Sequence, residues 1–176
     1  MKTILTEEQL REGIRRMAGE IEAHYRGKPL TIVGVLIGSV VLLADLIRLI
    51  NIPLRVELVQ ARCDRAKGVC LGPLAIDADL LSFGVQGRDV LLIDDIFDTG
   101  RTLWELIPQI DELGPASVRS AVLLRKQGRC EVSLKPDFVG FDIPNEFVVG
   151  YGLDYNDQYH NLPYVAVLEP HEMEKQ

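Results

Sequence analysis

The spacing of apolar residues changes along the chain and marks out the predicted elements. Between residues 7 and 25 apolar positions recur at intervals of three and four, which predicts an amphipathic helix. Thr6 and Gln9 have the spacing of a capping box, so this helix is expected to begin directly after Thr6. A second helix is predicted over 40–50, after the break at Gly38-Ser39.

Short runs of apolar and β-branched residues between the helical segments predict strands. A further helix is expected after Gly100, with Pro108 inside its apolar pattern and Gly114 at its end, so a kink or a shifted start is expected. Strands that alternate with helices indicate an α/β fold, with a mostly parallel sheet covered on both faces. Ligands of such sheets bind beyond the carboxyl ends of the strands. The predicted strands are 31–37, 54–60, 89–95, 118–124, 137–141 and 164–168.

Composition limits the partners and the location of the protein. The 176 residues, 47% of them apolar, suit a single domain over 1–176 with a real core. A net charge of −7 argues against a nucleic-acid partner. No signal peptide and no apolar run of membrane-spanning length is visible, so a cytoplasmic location is expected. Cys63, Cys70 and Cys130 form no CxxC pair, which favours free thiols over a disulfide or a zinc site.

The segment 90–103, VLLIDDIFDTGRTL, carries the most informative chemistry. An apolar strand ends in Asp94 and Asp95, and a turn of small and hydroxyl residues, 98–102, leads directly into a helix. Free amides at a helix N-terminus bind phosphate, and adjacent carboxylates suit ribose hydroxyls or Mg²⁺. The simpler alternative is that Asp98 and Thr99 only cap the helix and that the two acids form a solvated strand end.

This segment closely resembles the phosphoribosyl-diphosphate (PRPP) binding signature of type I phosphoribosyltransferases, in which two acids, two further residues and D-T-G-x-T follow an apolar strand. The resemblance implies the fold of that family, with a core at about 30–135 and a small hood at about 136–170 that includes an N-terminal contribution. It implies that Asp94 and Asp95 bind the ribose hydroxyls and that Asp98 is the general base at purine N7. The remaining PRPP-binding residues that it implies are Thr99, Gly100, Arg101, Thr102 and Gly38.

The C-terminal third resembles the hypoxanthine/guanine branch of that family, from KPDFVGFDIPNEFVVGYGLD at 135–154 through YNDQYHNLPY at 155–164. The resemblance implies purine salvage: the 5-phosphoribosyl group passes from PRPP to N9 of hypoxanthine or guanine, which gives IMP or GMP and pyrophosphate. It also implies a homodimer or homotetramer and Mg²⁺ as cofactor, held by Asp154 with Asp94 and Asp95. The implied purine-binding residues are Lys126, Phe147, Val148, Leu153 and Asp154.

Two of these assignments have chemical support of their own. A lysine donor suits a 6-oxo group and gains little from a 6-amino group, so adenine is expected to be rejected. An aromatic ring offers stacking area to a flat base. Taken alone, however, Phe147 fits a core residue of a strand better, and Lys126 fits a surface lysine better.

Departures from the family pattern cluster on the pyrophosphate side. Relatives usually carry Lys or Arg at the position of Ile37, and Arg at the position of His160. Their mobile loop carries a Ser-Tyr pair near its start, where this chain has Arg62-Cys63. Residues 62–72 are predicted to form that mobile loop.

Two hypotheses about this altered side stay open. In the favoured one, the protein is a working enzyme in which cations of the mobile loop, helped by a protonated His160, supply the missing charge. In the other, it is a catalytically weakened purine-nucleotide-binding or regulatory homologue. The loop residues expected to close over the site are Arg62, Cys63, Arg65 and Lys67.

Overall fold

The computed structural model describes residues 1–60, 65–66, 69–70 and 84–173. None of the helices in these ranges has the length and apolar character to cross a membrane. In chain order the elements are β1 (Lys2–Leu5), α1 (Glu7–Tyr25), β2 (Leu30–Leu36), α2 (Val40–Ile47), β3 (Leu54–Gln60), β4 (Arg65–Ala66), β5 (Val69–Cys70), β6 (Asp89–Phe97), α3 (Arg101–Asp111), β7 (Ser117–Lys126), β8 (Phe138–Ile143), β9 (Val148–Val149), β10 (Val165–Val167) and α4 (Pro170–Met173).

A five-stranded parallel sheet in the order β3-β2-β6-β7-β8 forms the core. Residues 90–93 of the central strand β6 are fully buried, because both faces of the sheet are covered. Leu91 and Ile93 pack with α1 and α2, whereas Val90 and Leu92 pack with α3. The predicted α/β fold with a parallel sheet is therefore confirmed.

A second, three-stranded antiparallel sheet in the order β1-β10-β9 joins the two ends of the chain. It corresponds to the predicted C-terminal hood with its N-terminal contribution. The strand β1 was not predicted, because four residues carry little pattern and their partner β10 lies at the opposite end of the sequence. The large sheet extends past the predicted core bounds of 30–135, since its edge strand is β8.

Local signals located most helix ends. Thr6 and Gln9 form the predicted capping box, with Gln9 N donating to Thr6 Oγ1 at 3.3 Å and Thr6 N donating to Gln9 Oε1 at 2.8 Å. The helix α3 starts directly after Gly100 and continues through Pro108. The helix α2 ends at Ile47, earlier than the predicted residue 50, and the amide of Leu49 bonds instead to the carbonyl of Leu46, three residues back. Residues 65–66 and 69–70 pair as short strands where a loop was predicted.

Candidate active site

Three segments meet at the carboxyl end of the large sheet, where ligands of parallel sheets bind. Gly38, in the loop after β2, lies so close to the end of β6 that a β-carbon there would be 1.7 Å from Oδ2 of Asp95. Gly152, in the segment after β9, lies against the same loop, and its β-carbon would be 2.2 Å from the carbonyl oxygen of Gly38. Close packing thus brings residues distant in the sequence into one site.

Asp94 and Asp95 form a carboxyl pair at the end of β6. Asp94 is only 7% exposed, so the two acids do not form a solvated strand end. Burial, with the charge of Asp95 added, raises the pKa of Asp94 well above its usual range. Burial also raises the pKa of Asp95, although its hydrogen bond with Asp94 opposes that shift. Both carboxyl groups are therefore harder to ionise in the folded protein than in water.

The turn between β6 and α3 has glycine at the helix N-cap. Gly100 has φ +86° and offers no side chain to the helix amides. Among the described residues Asp98 makes no bond to those amides, while Thr99 Oγ1 accepts only a long bond of 3.4 Å from the amide of Arg101. The Arg101 side chain pairs along its own helix with Glu105 at 2.5 Å. A helix N-terminus of this kind is suited to bind phosphate.

Asp98 lies between two cations. Lys126 Nζ donates to Asp98 Oδ2 at 3.1 Å, and Lys126 is only 7% exposed, so it is not a surface lysine. Arg129 Nε lies 2.8 Å from Oδ1 of the same carboxylate. That contact lies outside hydrogen-bond geometry, and within the described ranges Oδ1 is buried and has no hydrogen-bond partner. Arg129 was not predicted as a site residue, since an arginine in a polar turn carries no distinguishing pattern.

Phe147 is 42% exposed, so it is not the core residue that its strand pattern favours. Its ring packs edge to face against Tyr155, with the two centroids 5.5 Å apart and an interplanar angle of 84°. The neighbouring Val148 in β9 is buried, as is Leu153. An exposed aromatic ring held by a buried strand provides a stacking surface for a flat ligand.

Asp154, Asp157 and His160 lie close together beside the carboxyl pair, with one ligand atom from each within 4.8 Å of the others. The charge of Asp154 contributes to the raised pKa of Asp95. His160 Nδ1 lies 2.7 Å from the carbonyl oxygen of Gly152. Because a carbonyl only accepts, the proton of a neutral imidazole is on Nδ1, and Nε2 is the free acceptor. Carboxylate oxygens in such a group suit a hard divalent cation.

The segment that carries these residues is anchored to α2. Tyr151 OH donates to Asp45, and the Tyr151 amide donates to the carbonyl of Leu162 at 2.8 Å. Burial, followed by the bond to Asp45, raises the pKa of Tyr151. The phenol thus keeps its proton and donates it to Asp45.

The positions that diverge from the family pattern differ in their exposure. Ile37 is 61% exposed at the loop after β2, whereas His160 is partly buried against Gly152. The predicted mobile-loop residues Arg62, Cys63 and Lys67, and the side chain of Arg65, lie outside the described residues. Cys130 is an exposed free thiol, in agreement with its predicted state.

The chain is similar in sequence and in structure to known proteins. The family model of the phosphoribosyl transferase domain matches residues 1–156. The bifunctional protein TilS/HprT of Listeria innocua is 41% identical over 169 residues, which cover 96% of this chain but only 26% of that protein. The hypoxanthine-guanine phosphoribosyltransferase of Lactococcus lactis is 40% identical, with 96% and 91% of the two chains covered. The crystal structure of a hypoxanthine phosphoribosyltransferase from Staphylococcus aureus superimposes with a TM-score of 0.89 at 35% identity, over 97% and 92% of the chains.

Proposed function

Because this chain belongs to the phosphoribosyltransferase family, we propose that it transfers the 5-phosphoribosyl group from PRPP to N9 of hypoxanthine or guanine. The products are IMP or GMP and pyrophosphate. The observation that carries the proposal is the contact of Lys126 Nζ with Asp98 Oδ2 at 3.1 Å, next to the Asp94–Asp95 pair. A donor and an acceptor side by side match the two neighbouring edge groups of a 6-oxopurine, O6 and N7–H.

The proposed mechanism begins when the ion pair opens. Lys126 leaves Asp98 and donates to purine O6, and Asp98 Oδ2 accepts the hydrogen of N7. As N9 attacks C1′ of the ribose, the N7 proton passes to Asp98 and pyrophosphate leaves with the bonding electrons. The ammonium of Lys126 would face the amino group of adenine, donor against donor, so adenine is rejected.

The phosphoribosyl group is held on the opposite side of Asp98. The Asp94–Asp95 pair accepts hydrogen bonds from the ribose hydroxyls, and the amides of the 98–102 turn bind the 5′-phosphate. Phe147 stacks on the purine, while the backbone of Val148 and the side chain of Leu153 border it. This arrangement fixes N9 and C1′ relative to each other before the reaction.

Mg²⁺ is the proposed cofactor, and the donor set fits it. Asp154 presents an exposed carboxylate next to Asp95, and hard oxygen donors are the ligands that Mg²⁺ prefers. Asp94, Asp95 and Asp154 would hold the ion together with oxygens of PRPP. When bound, Mg²⁺ neutralises negative charge on the pyrophosphate group.

An absorbance assay with purified protein, Mg²⁺, PRPP and a single purine base tests the proposal. Hypoxanthine and guanine are expected to give IMP and GMP, whereas adenine gives no product. The absence of product with both 6-oxopurines, together with tight binding of IMP or GMP, would contradict the enzyme and favour a nucleotide-binding homologue. The cytoplasmic location and the homodimer or homotetramer remain predictions.

A double variant, Ile37→Lys with His160→Arg, is expected to lower KM for PRPP by roughly 2- to 30-fold, since each added charge contact contributes about 0.2–1 kcal/mol. The gain should shrink at high salt, because exposed charges are screened. Kinetics at low and high ionic strength measure the effect. Val56→Lys, which adds one charge in the middle of β3, is the net-charge control for Ile37→Lys alone.

Ile37→Lys should also be measured alone, since His160→Arg removes the contact of Nδ1 with Gly152. If neither variant changes KM for PRPP, cations from the 62–72 loop already supply the charge at the pyrophosphate side.

A further inference from the structure

We infer that Arg129 is a positioning residue, which holds the Asp98 carboxylate in place for proton transfer. The inference rests on the proposed function and concerns the same site. Asp98 Oδ2 faces Lys126, and Oδ1 faces Arg129 at 2.8 Å. The two cations therefore approach opposite oxygens of one carboxylate.

Purine binding leaves these two cations with different roles. Lys126 is needed at O6 and leaves Oδ2, which must then point at N7. Arg129 has no such second duty on the purine, so it is the cation that stays with the carboxylate. Asp98 is partly exposed, with side-chain exposure of 33%, and its Oδ1 has no hydrogen bond within the described residues. Without Arg129 this side chain would be free to rotate away from N7.

A separate contact ties the Arg129 segment to the acidic turn. The amide of Glu131 donates to the carbonyl of Thr99 at 3.0 Å, which fixes residues 129–131 alongside the turn that carries Asp98. Arg129 therefore reaches Asp98 from a backbone that is already anchored to the same turn. Its own side chain is 46% exposed, so core packing does not account for its position.

The other end of the guanidinium reaches the purine-stacking segment. Arg129 Nη1 lies 3.4 Å from Oδ1 of Asn145, which precedes Phe147 by two residues. A planar guanidinium can contact two partners at once, whereas the compact ammonium of a lysine serves one. Arg129 thus links the general base to the segment that holds the base-stacking ring.

The test compares Arg129→Met, Arg129→Lys and the control Arg125→Met in the 176-residue chain. Arg125 is paired with Asp142 at 2.6 Å and does not contact Asp98. We expect Arg129→Met to lower kcat for hypoxanthine by about 2- to 5-fold, the scale of one partly exposed ion pair, and to leave KM for PRPP nearly unchanged. Arg129→Lys keeps a cation for Asp98 but loses the contact with Asn145, so it should recover part of kcat, and Arg125→Met should match the wild-type chain.

The split between kcat and KM, with rescue by lysine, separates positioning from a merely structural role. A general loss of fold would lower kcat, PRPP affinity and Tm together, whereas a misplaced base lowers kcat alone. An active wild type with unchanged kcat in Arg129→Met would overturn the inference alone. So would a loss that Arg129→Lys does not restore even in part, or one that accompanies a lower Tm. An inactive wild type would overturn the proposed function and this inference together.

Discussion

We expect Asp98→Asn to turn over hypoxanthine about 10²- to 10⁴-fold more slowly than the wild-type chain, the range that general base catalysis contributes. The amide has the size of the carboxylate and keeps an oxygen that can accept from Lys126, so the site should retain its shape. It cannot accept the N7 proton at neutral pH. Single-turnover kinetics with PRPP bound measure the loss directly, because they isolate the chemical step from product release.

PRPP affinity distinguishes a lost base from a damaged site. The ribose and phosphate groups are assigned to the Asp94–Asp95 pair and to backbone amides, so Kd for PRPP should stay near the wild-type value in Asp98→Asn. Asp142→Asn is a matched control, because it removes a carboxylate that is paired with Arg125 near the ends of β7 and β8. Equal losses of kcat and PRPP affinity in Asp98→Asn would contradict the role of Asp98 as the base.

Patterns confined to one stretch of sequence predicted most of the large sheet. The buried strand β6 and the amphipathic helix α1 are each defined by the periodicity of their own residues. The strand β1 was missed because its stability comes from pairing with β10, which no local pattern encodes. Isolated pairs of strands are marginal in water, so such strands depend on tertiary context.

The residues of the candidate site were likewise predicted where their pattern is local and missed where it depends on distant contacts. The signature around Asp94 and Asp95 identified the carboxyl pair, because strand, acids and turn are adjacent in the sequence. The burial of Lys126 was not predictable from its sequence neighbours, since its ion-pair partner Asp98 lies 28 residues away in the sequence. Arg129 was missed for a similar reason, because nothing in its own turn indicates that it reaches Asp98.

Gly152 is the residue missed by local sequence patterns whose substitution is expected to have the largest effect. Its φ of +99° lies in a region that residues with side chains rarely adopt. The atom that a β-carbon would meet is the backbone carbonyl of Gly38, which has no rotamer into which it can move. The contact joins the segment that carries Asp154 to the loop against Asp95. The positive φ and the lack of space for a side chain at residue 152 therefore both come from the site itself.

Gly152→Ala is accordingly expected to lower the free energy of unfolding by about 2–4 kcal/mol, from backbone strain and the displacement of the Gly38 loop. PRPP affinity should fall with it, because the displaced loop no longer packs against Asp95. Urea denaturation and PRPP titration measure the two losses.

Gly19→Ala is the control, since within the described ranges no atom outside the adjacent backbone of α1 lies within 4 Å of its β-carbon position on the exposed face of that helix. Its helical position favours alanine, so a gain of about 0.5–1 kcal/mol is expected. Wild-type stability in Gly152→Ala would contradict the close approach to Gly38. Lost stability with unchanged PRPP affinity would show instead that this approach supports the fold without shaping the PRPP site.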